Sequence, residues 1–228
     1  MCGRTSLFAP QEVVVERFDA RPTRPLRPRY NVAPGQEHAV VRNDADDEIR
    51  FPTWGLVPRW ADEFGGGHVN ARAETLAEKP SFRDAYDERR CLVLADGFYD
   101  WKETALGRQP YRFTLADGDP FAMAGLWERW TSPDGEDRTT FTVVTTEPND
   151  VVADVHHRMP VVLAPDDEER WLHGDERERE AVLAPYPGDE MAVHPVSKAV
   201  NDPANDSPAV VEAVVSDEDA QTGLDEFG

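Results

Sequence analysis

The chain has little cysteine, almost no lysine and no long apolar run. Of its 228 residues only Cys2 and Cys91 are cysteines. That is too few for a disulfide framework, and the absence of Cys-x-x-Cys and His-x-x-x-His removes zinc-ligand spacing. No stretch approaches the ~18–20 apolar residues of a membrane span, and the first 25 residues carry Gln11, Glu12, Arg17 and Asp19 in place of an apolar signal core. These absences predict a soluble protein of the reducing cytoplasm, with no metal. The chain is long enough to bury the core of one domain.

What is abundant is acid. Forty-five Asp and Glu face 24 Lys and Arg, for a net charge of -21, and lysines are confined to Lys79, Lys102 and Lys198. Acid in excess with so little lysine is read as adaptation to a salt-loaded cytoplasm, that of a halophile. The charge is also uneven: residues 1–43 hold seven Arg against four acids, whereas residues 161–228 hold eighteen acids against four bases. An acidic surface repels nucleic acid in dilute buffer, but at molar salt screening lengths fall to ~3 Å, so a basic end still allows a DNA partner.

The chain shows no internal repeat and no long linker. Pro10 opens a short helical stretch to Phe18, and residues 22–28 form an Arg- and Pro-rich loop. Apolar or alternating runs at 39–41, 90–95, 111–115, 121–127 and 140–146 read as strands of an antiparallel sheet or barrel. Pro165 followed by four acids starts a helix that Gly174 stops, with Trp171 and Leu172 as its apolar contacts. One domain over 1–200 is expected, then a last strand at Val210–Val215 and a mobile acidic tail in the segment 201–228.

Cys2 directly follows the initiator methionine. Trimming of Met1 would expose an amine and a thiol on one residue, with ordinary pKa values near ~8 and ~8.5. Such a 1,2-aminothiol captures aldehydes: the amine condenses to an imine and the thiol closes a five-membered thiazolidine. A small second residue also occurs by chance, so Cys2 gains its weight from the motifs downstream of it. Polar and aromatic residues beyond packing needs recur in Asn31-Val-Ala-Pro34, Trp54-Gly-Leu-Val-Pro58, Asn70-Ala-Arg-Ala-Glu-Thr75, Ala95-Asp-Gly-Phe-Tyr-Asp-Trp-Lys102, His156-His-Arg-Met-Pro160 and His194-Pro-Val-Ser197.

In their order and number these segments, with Met1-Cys2-Gly3-Arg4, resemble the SRAP family, the SOS-response-associated peptidase or abasic-site-processing proteins, from Cys2 to about Val200. The resemblance implies a compact α+β fold with a barrel-like antiparallel core and flanking helices. It also implies a sensor of abasic sites in single-stranded DNA that crosslinks covalently through Cys2, without cofactor or metal, in the response to DNA damage. The protein itself is expected to be a monomer. Matching residue by residue makes Cys2, Asn70, Asp100 and His156 the catalytic candidates. Asn70 would orient the N-terminal amine or sugar oxygens, and His156, with an ordinary pKa near ~6.5, would shuttle protons. Asp100 stands where the family usually has glutamate, one methylene shorter. Arg4, Pro34, Trp60, Arg72 and Arg158 are the candidate DNA contacts, as phosphate-binding guanidiniums and stacking surfaces. Arg89 and Arg90 read as a solvated face, Cys91 as a buried thiol, and Asp96 as a structural residue in an Asp-Gly turn.

Two other readings remain open on the residues alone. An N-terminal-nucleophile amidohydrolase or peptidase also uses an exposed Cys2 thiol, for amide attack or self-cleavage after Met1. A noncatalytic reader of modified DNA would use the same groove without the chemistry.

Overall fold

The computed structural model describes residues 2–216. Its central strand, Arg90–Ala95, is buried along its whole length. A strand with both faces covered must be apolar at nearly every position, and its side chains alternate between two cores. Leu92 and Leu94 join Leu126, Val144 and Trp171 on one side, while Cys91, Val93 and Ala95 join Phe98, Phe113, Met123 and Phe141 on the other. The first core lies under helices Gln11–Phe18 and Pro165–His173, which contribute Val14, Trp171 and Leu172. The second lies between two sheets. Cys2 is one of its members.

The larger sheet runs in the order Met159–Pro160, Asp137–Thr146, Phe121–Thr131, Arg90–Ala95, Val40–Arg42, Ala45–Arg50 and Arg21–Pro22, with Thr53–Trp54 and Asn70–Arg72 lying parallel to Asp137–Thr146. The smaller sheet has the order Met191–Pro195, Gly107–Leu115, Gly97–Thr104, Thr5–Leu7 and Arg29–Val32, all antiparallel. The fold is therefore α+β and dominated by antiparallel pairing. The sheets do not close into the barrel expected from the sequence; two open sheets face one another across a shared core.

The sequence signals for both longer helices hold, with Pro165 at the first turn and Gly174 as the stop. Arg90 reinforces that stop: Nε donates to the Trp171 carbonyl at 2.7 Å and Nη2 to that of Leu172 at 2.7 Å, placing a cation on the helix C-terminus. Arg89 is buried as well, against Glu128. The expected solvated face at 89–90 is thus interior. The expected strand at 210–215 is also replaced. Pro208–Val210 forms a 3-10 turn, and only an isolated bridge from Ala213 to Val196 remains of sheet pairing. Residues 217–228, read as a mobile tail, lie outside the described residues.

Candidate active site

Antiparallel pairing of Thr5 with Phe98 and Ser6 with Gly97, extended by the Tyr99 N–H on the Arg4 carbonyl at 3.0 Å, carries residues 2 and 3 alongside Asp100 and Trp101. Asn70 arrives from the larger sheet, where it pairs with Val143. His156 follows the short helix Asp150–Ala153, whose N-cap Asn149 accepts the Val152 N–H at 2.9 Å. The His156 N–H closes the turn on the Val152 carbonyl at 2.8 Å. Four segments from both sheets and one helix end thus converge.

Cys2 is wholly buried. Asn70 holds its carbonyl, Nδ2 donating to the Cys2 O at 2.9 Å, while the buried Asn70 Oδ1 has no hydrogen-bond partner. A buried acceptor without a donor carries a desolvation cost, which a ligand donor or a rearranged amine would relieve. Burial first, and then the Asp100 carboxylate, push the Cys2 thiol up to about 12. Burial also raises Asp100, against the pull of the amino terminus and His156.

His156 Nδ1 lies 3.6 Å from Asp100 Oδ2. It is closer to the Arg158 backbone: it accepts the Arg158 N–H at 3.1 Å, and the Arg158 O lies 3.2 Å away. Nδ1 thus has a donor and two acceptors in its neighbourhood, so either neutral tautomer finds a partner there. Burial lowers the His156 pKa, outweighing the opposite effect of Asp100. The imidazole is therefore neutral at pH 7, with a carboxylate in reach of the imidazolium that proton uptake would create.

The DNA-contact candidates divide. Pro34, Trp60 and Arg72 are exposed, Trp60 by 62%. Arg4 is buried instead: Nη1 donates to Asn31 Oδ1 at 2.7 Å and also to the Val200 carbonyl, and the guanidinium lies over Trp101. Arg158 is held by Glu74, a residue of the Asn70–Thr75 motif that carries no role on sequence grounds. Its guanidinium and that of Arg4 are already bound by protein groups, because the strand order brings distant carbonyls and carboxylates to them. His157 is exposed, stacked on His156 at 4.3 Å between centroids. His194 bonds the Val211 carbonyl at 3.0 Å and serves packing of the C-terminal segment. A cavity of about 480 Å³ beside the arginine-proline loop, lined by Arg24, Arg27, Arg29, His38 and Phe51, contains none of the four catalytic candidates. Convergent chemistry, not concavity, marks the site. No group of His, Cys, Asp and Glu among the described residues is arranged to hold a metal, and no helix among them is long and apolar enough to cross a membrane.

Comparison with known proteins places the chain. The model of the SOS response associated peptidase (SRAP) family matches residues 1–203. The chain is 40% identical over 223 residues to the abasic site processing protein YoqW of Bacillus subtilis, covering 93% of this chain and all of that one. It is 31% identical over 196 residues to the abasic site processing protein YedK of Escherichia coli, covering 82% and 85%. A crystal structure of a protein from Bacteroides thetaiotaomicron superposes with a TM-score of 0.85 at 27% identity, over 94% of this chain and all of that one. On the family match over most of its length, the chain belongs to the SRAP family.

Proposed function

We propose that the protein processes abasic sites in single-stranded DNA by capturing the ring-opened sugar aldehyde on Cys2. The observation that carries this reading is the Asn70 amide, which grips the Cys2 carbonyl and leaves a buried oxygen open beside the Asp100–His156 pair. The names of the relatives, abasic site processing proteins, point the same way.

The order of events follows from the bonds that form. Hydrolysis of the Met1–Cys2 bond frees the Cys2 amine. The amine attacks first, because the sulfur closes onto the imine carbon that this attack creates. It adds to the aldehyde carbon, and the carbinolamine loses its hydroxyl as water, with the departing oxygen protonated from His156, to give an imine. The Cys2 sulfur then bonds to the imine carbon while the thiol proton passes to nitrogen, closing the thiazolidine. Aldehyde plus aminothiol gives thiazolidine plus one water, without oxidant or cofactor. Neutral His156 takes and returns protons, Asp100 stabilises the imidazolium, and Asn70 Oδ1 accepts from the amine.

DNA would be tracked by Arg72 through phosphate and by Trp60 and Pro34 through base and sugar contact, a mode that tolerates any sequence. Arg4 is left out of this surface because its guanidinium is buried on Asn31 and the Val200 carbonyl, whereas Arg158, paired with a half-exposed Glu74, stays with Arg72 as a phosphate contact. The test is incubation with a single-stranded oligonucleotide bearing one abasic site, then denaturing electrophoresis. A denaturation-resistant band with abasic DNA and none with intact DNA is expected. Binding without any such band would leave a noncatalytic reader and overturn the proposal.

A further inference from the structure

The capture chemistry leaves the arginine–proline loop without a task, yet that loop borders a cavity. The cavity, of about 480 Å³, is lined by Arg24, Arg27 and Arg29, with Leu7, Leu26 and Phe51 among its other walls. A second cavity, of about 510 Å³, is lined by Arg42, Arg50 and Arg138 beside Phe64, and it shares Glu37 and Phe51 with the first. Together they present six arginines against two carboxylates, Glu37 and Asp137. Over the whole chain the balance is the opposite, acids outnumbering bases 45 to 24. A local excess of cation kept in so acidic a protein points to an anionic ligand.

The aromatic rings say what else that ligand carries. Arg24 lies over Phe51, 4.2 Å from the ring centroid, and Arg138 lies over Phe64 at 4.7 Å. A guanidinium on a ring offers its outer face to another flat group, and unstacked bases lie on such planes. One such stack borders each cavity. The cations beside them are open to phosphate. The Arg27 guanidinium has no ion pair or hydrogen bond among the described residues. Arg24, Arg50 and Arg138 face Glu37, Glu48 and Glu136 in pairs whose side chains are all more than a third exposed, and pairs of that kind hold so weakly that a phosphate can replace the carboxylate. Arg42 is different: it is buried on Asp44 and over Trp127, and serves the fold.

We propose that the two cavities form a track for single-stranded DNA outside the capture site, with bases on the Arg24–Phe51 and Arg138–Phe64 stacks and phosphates on Arg27 and Arg50. The inference rests on the DNA-binding reading above and extends it to strand remote from the lesion. Both ends of the track lie next to the surface already assigned to DNA. Arg29 donates to Gln36 Oε1 at 2.8 Å, the same oxygen that accepts the Ala33 N–H beside Pro34. Phe64 belongs to the loop that follows Trp60. A strand leaving the capture site over Pro34 or Trp60 therefore has cations and rings ahead of it. A duplex keeps its bases stacked on one another and has none to lay on these planes, so the single strand is the form that fits.

Fluorescence anisotropy with a labelled, intact oligothymidylate tests the track without any crosslinking step. It is read over a series of salt concentrations at which circular dichroism shows each protein folded. Arg27→Ala should lower the salt slope by about 0.7, the share of one phosphate on a single strand, and so weaken binding about fivefold near ~0.1 M salt. Arg138→Ala, which also removes a stacking face, should weaken it more. Glu37→Gln should tighten binding, because it removes the carboxylate that competes for Arg24. Arg177→Ala makes the same charge change on the helix Glu176–Ala181, away from both cavities, and should bind as the parent does. Crosslinking on saturating abasic DNA should stay parental in all four. Parental affinity and slope in either Arg27→Ala or Arg138→Ala would overturn the track, as would an equal loss in Arg177→Ala. A mononucleotide that competes as well as the strand would assign the cavities to a free nucleotide and overturn it too. A parent that binds the intact strand and never crosslinks would defeat the capture reading and leave the track standing, whereas one that crosslinks abasic DNA without affinity for the intact strand would defeat the track alone.

Discussion

Asp96 and Asp100 lie four residues apart, both buried, and their surroundings are finished differently. Around Asp96 every carboxylate oxygen is used: Oδ1 accepts from Ser6 at 2.6 Å and Arg112 at 3.1 Å, and Oδ2 from the Phe8 and Ala9 N–H groups at 2.5 and 3.0 Å. Gly97 makes room for this arrangement, since a Cβ there would meet the Arg112 guanidinium at 2.6 Å. Nearby, Asn31 ties the Arg4 guanidinium to the carbonyls of Val200, Asp202 and Asn205. The atoms left over are the Nε donors of Arg4 and Arg112. Around Asp100 the surroundings differ: Oδ1 accepts the Trp101 N–H at 2.9 Å, His156 stands 3.6 Å off, burial raises the carboxyl against the pull of the amino terminus and His156, and Asn70 Oδ1, on the Cys2 carbonyl's partner, is buried with no donor. A carboxylate held by four donors makes a rigid polar staple. A buried acceptor without a donor, on the side chain that holds the nucleophile's carbonyl, leaves a place for a reactant.

The strongest way to break this contrast is to neutralise each side. His156→Ala and Asp100→Asn should slow crosslinking on saturating DNA by roughly 10²–10⁴-fold with DNA affinity nearly unchanged. Asp100→Glu should retain activity, the carboxylate being what counts; quench-flow or manual time courses read both. Parental rates for Asp100→Asn would reduce Asp100 to a packing residue beside Trp101. Asp96→Ala should act on the other quantity, costing about 3–5 kcal/mol in chemical denaturation by stranding Arg112 and two backbone N–H groups. A loss confined to crosslinking, with stability intact, would erase the distinction.

His38 sharpens it further. It is buried, its Nε2 meets the Leu94 carbonyl at 2.7 Å, and burial pushes its pKa down to about 4. Because the folded value lies below the unfolded ~6.5, the unfolded chain takes up the proton first as pH falls. Stability is then full above pH ~6.5 and is lost between there and pH ~4, by about 3 kcal/mol. Denaturation curves across that window should show this slope in the parent and its absence in His38→Gln, while crosslinking by the folded variant at pH 7 stays unchanged. A matching slope in both proteins would assign the acid sensitivity elsewhere.

The site is more legible in the sequence than the scaffold around it. Cys2, Asn70, Asp100 and His156 stand out because their chemistry is written in residue type and motif order, and the strands at 90–95, 121–127 and 140–146 because an apolar run admits few other uses. The arginines do not. Arg4, Arg89, Arg90 and Arg158 read as surface or DNA-facing charge, yet each meets partners brought to it by the fold, such as Val200 for Arg4 and Trp171 for Arg90. Asp96 reads as structural for its place before Gly97, but its reason is a pair of N–H groups 87 and 88 residues away. The run at 210–215 has strand composition, yet it meets the edge at Pro195 and Val196 only through the Ala213 bridge and the Val214 N–H.

The central claim is that Cys2 supplies both nucleophilic atoms, nitrogen and sulfur, of the new ring. Intact mass spectrometry of the denatured adduct with an abasic oligonucleotide tests it directly. The account predicts a species equal to the chain without Met1 plus the DNA less one water, and no stable adduct from Cys2→Ala or Cys2→Ser, the latter keeping the amine but lacking the sulfur that closes the ring. An adduct that retains Met1, or one formed undiminished by Cys2→Ala without reduction, would contradict it.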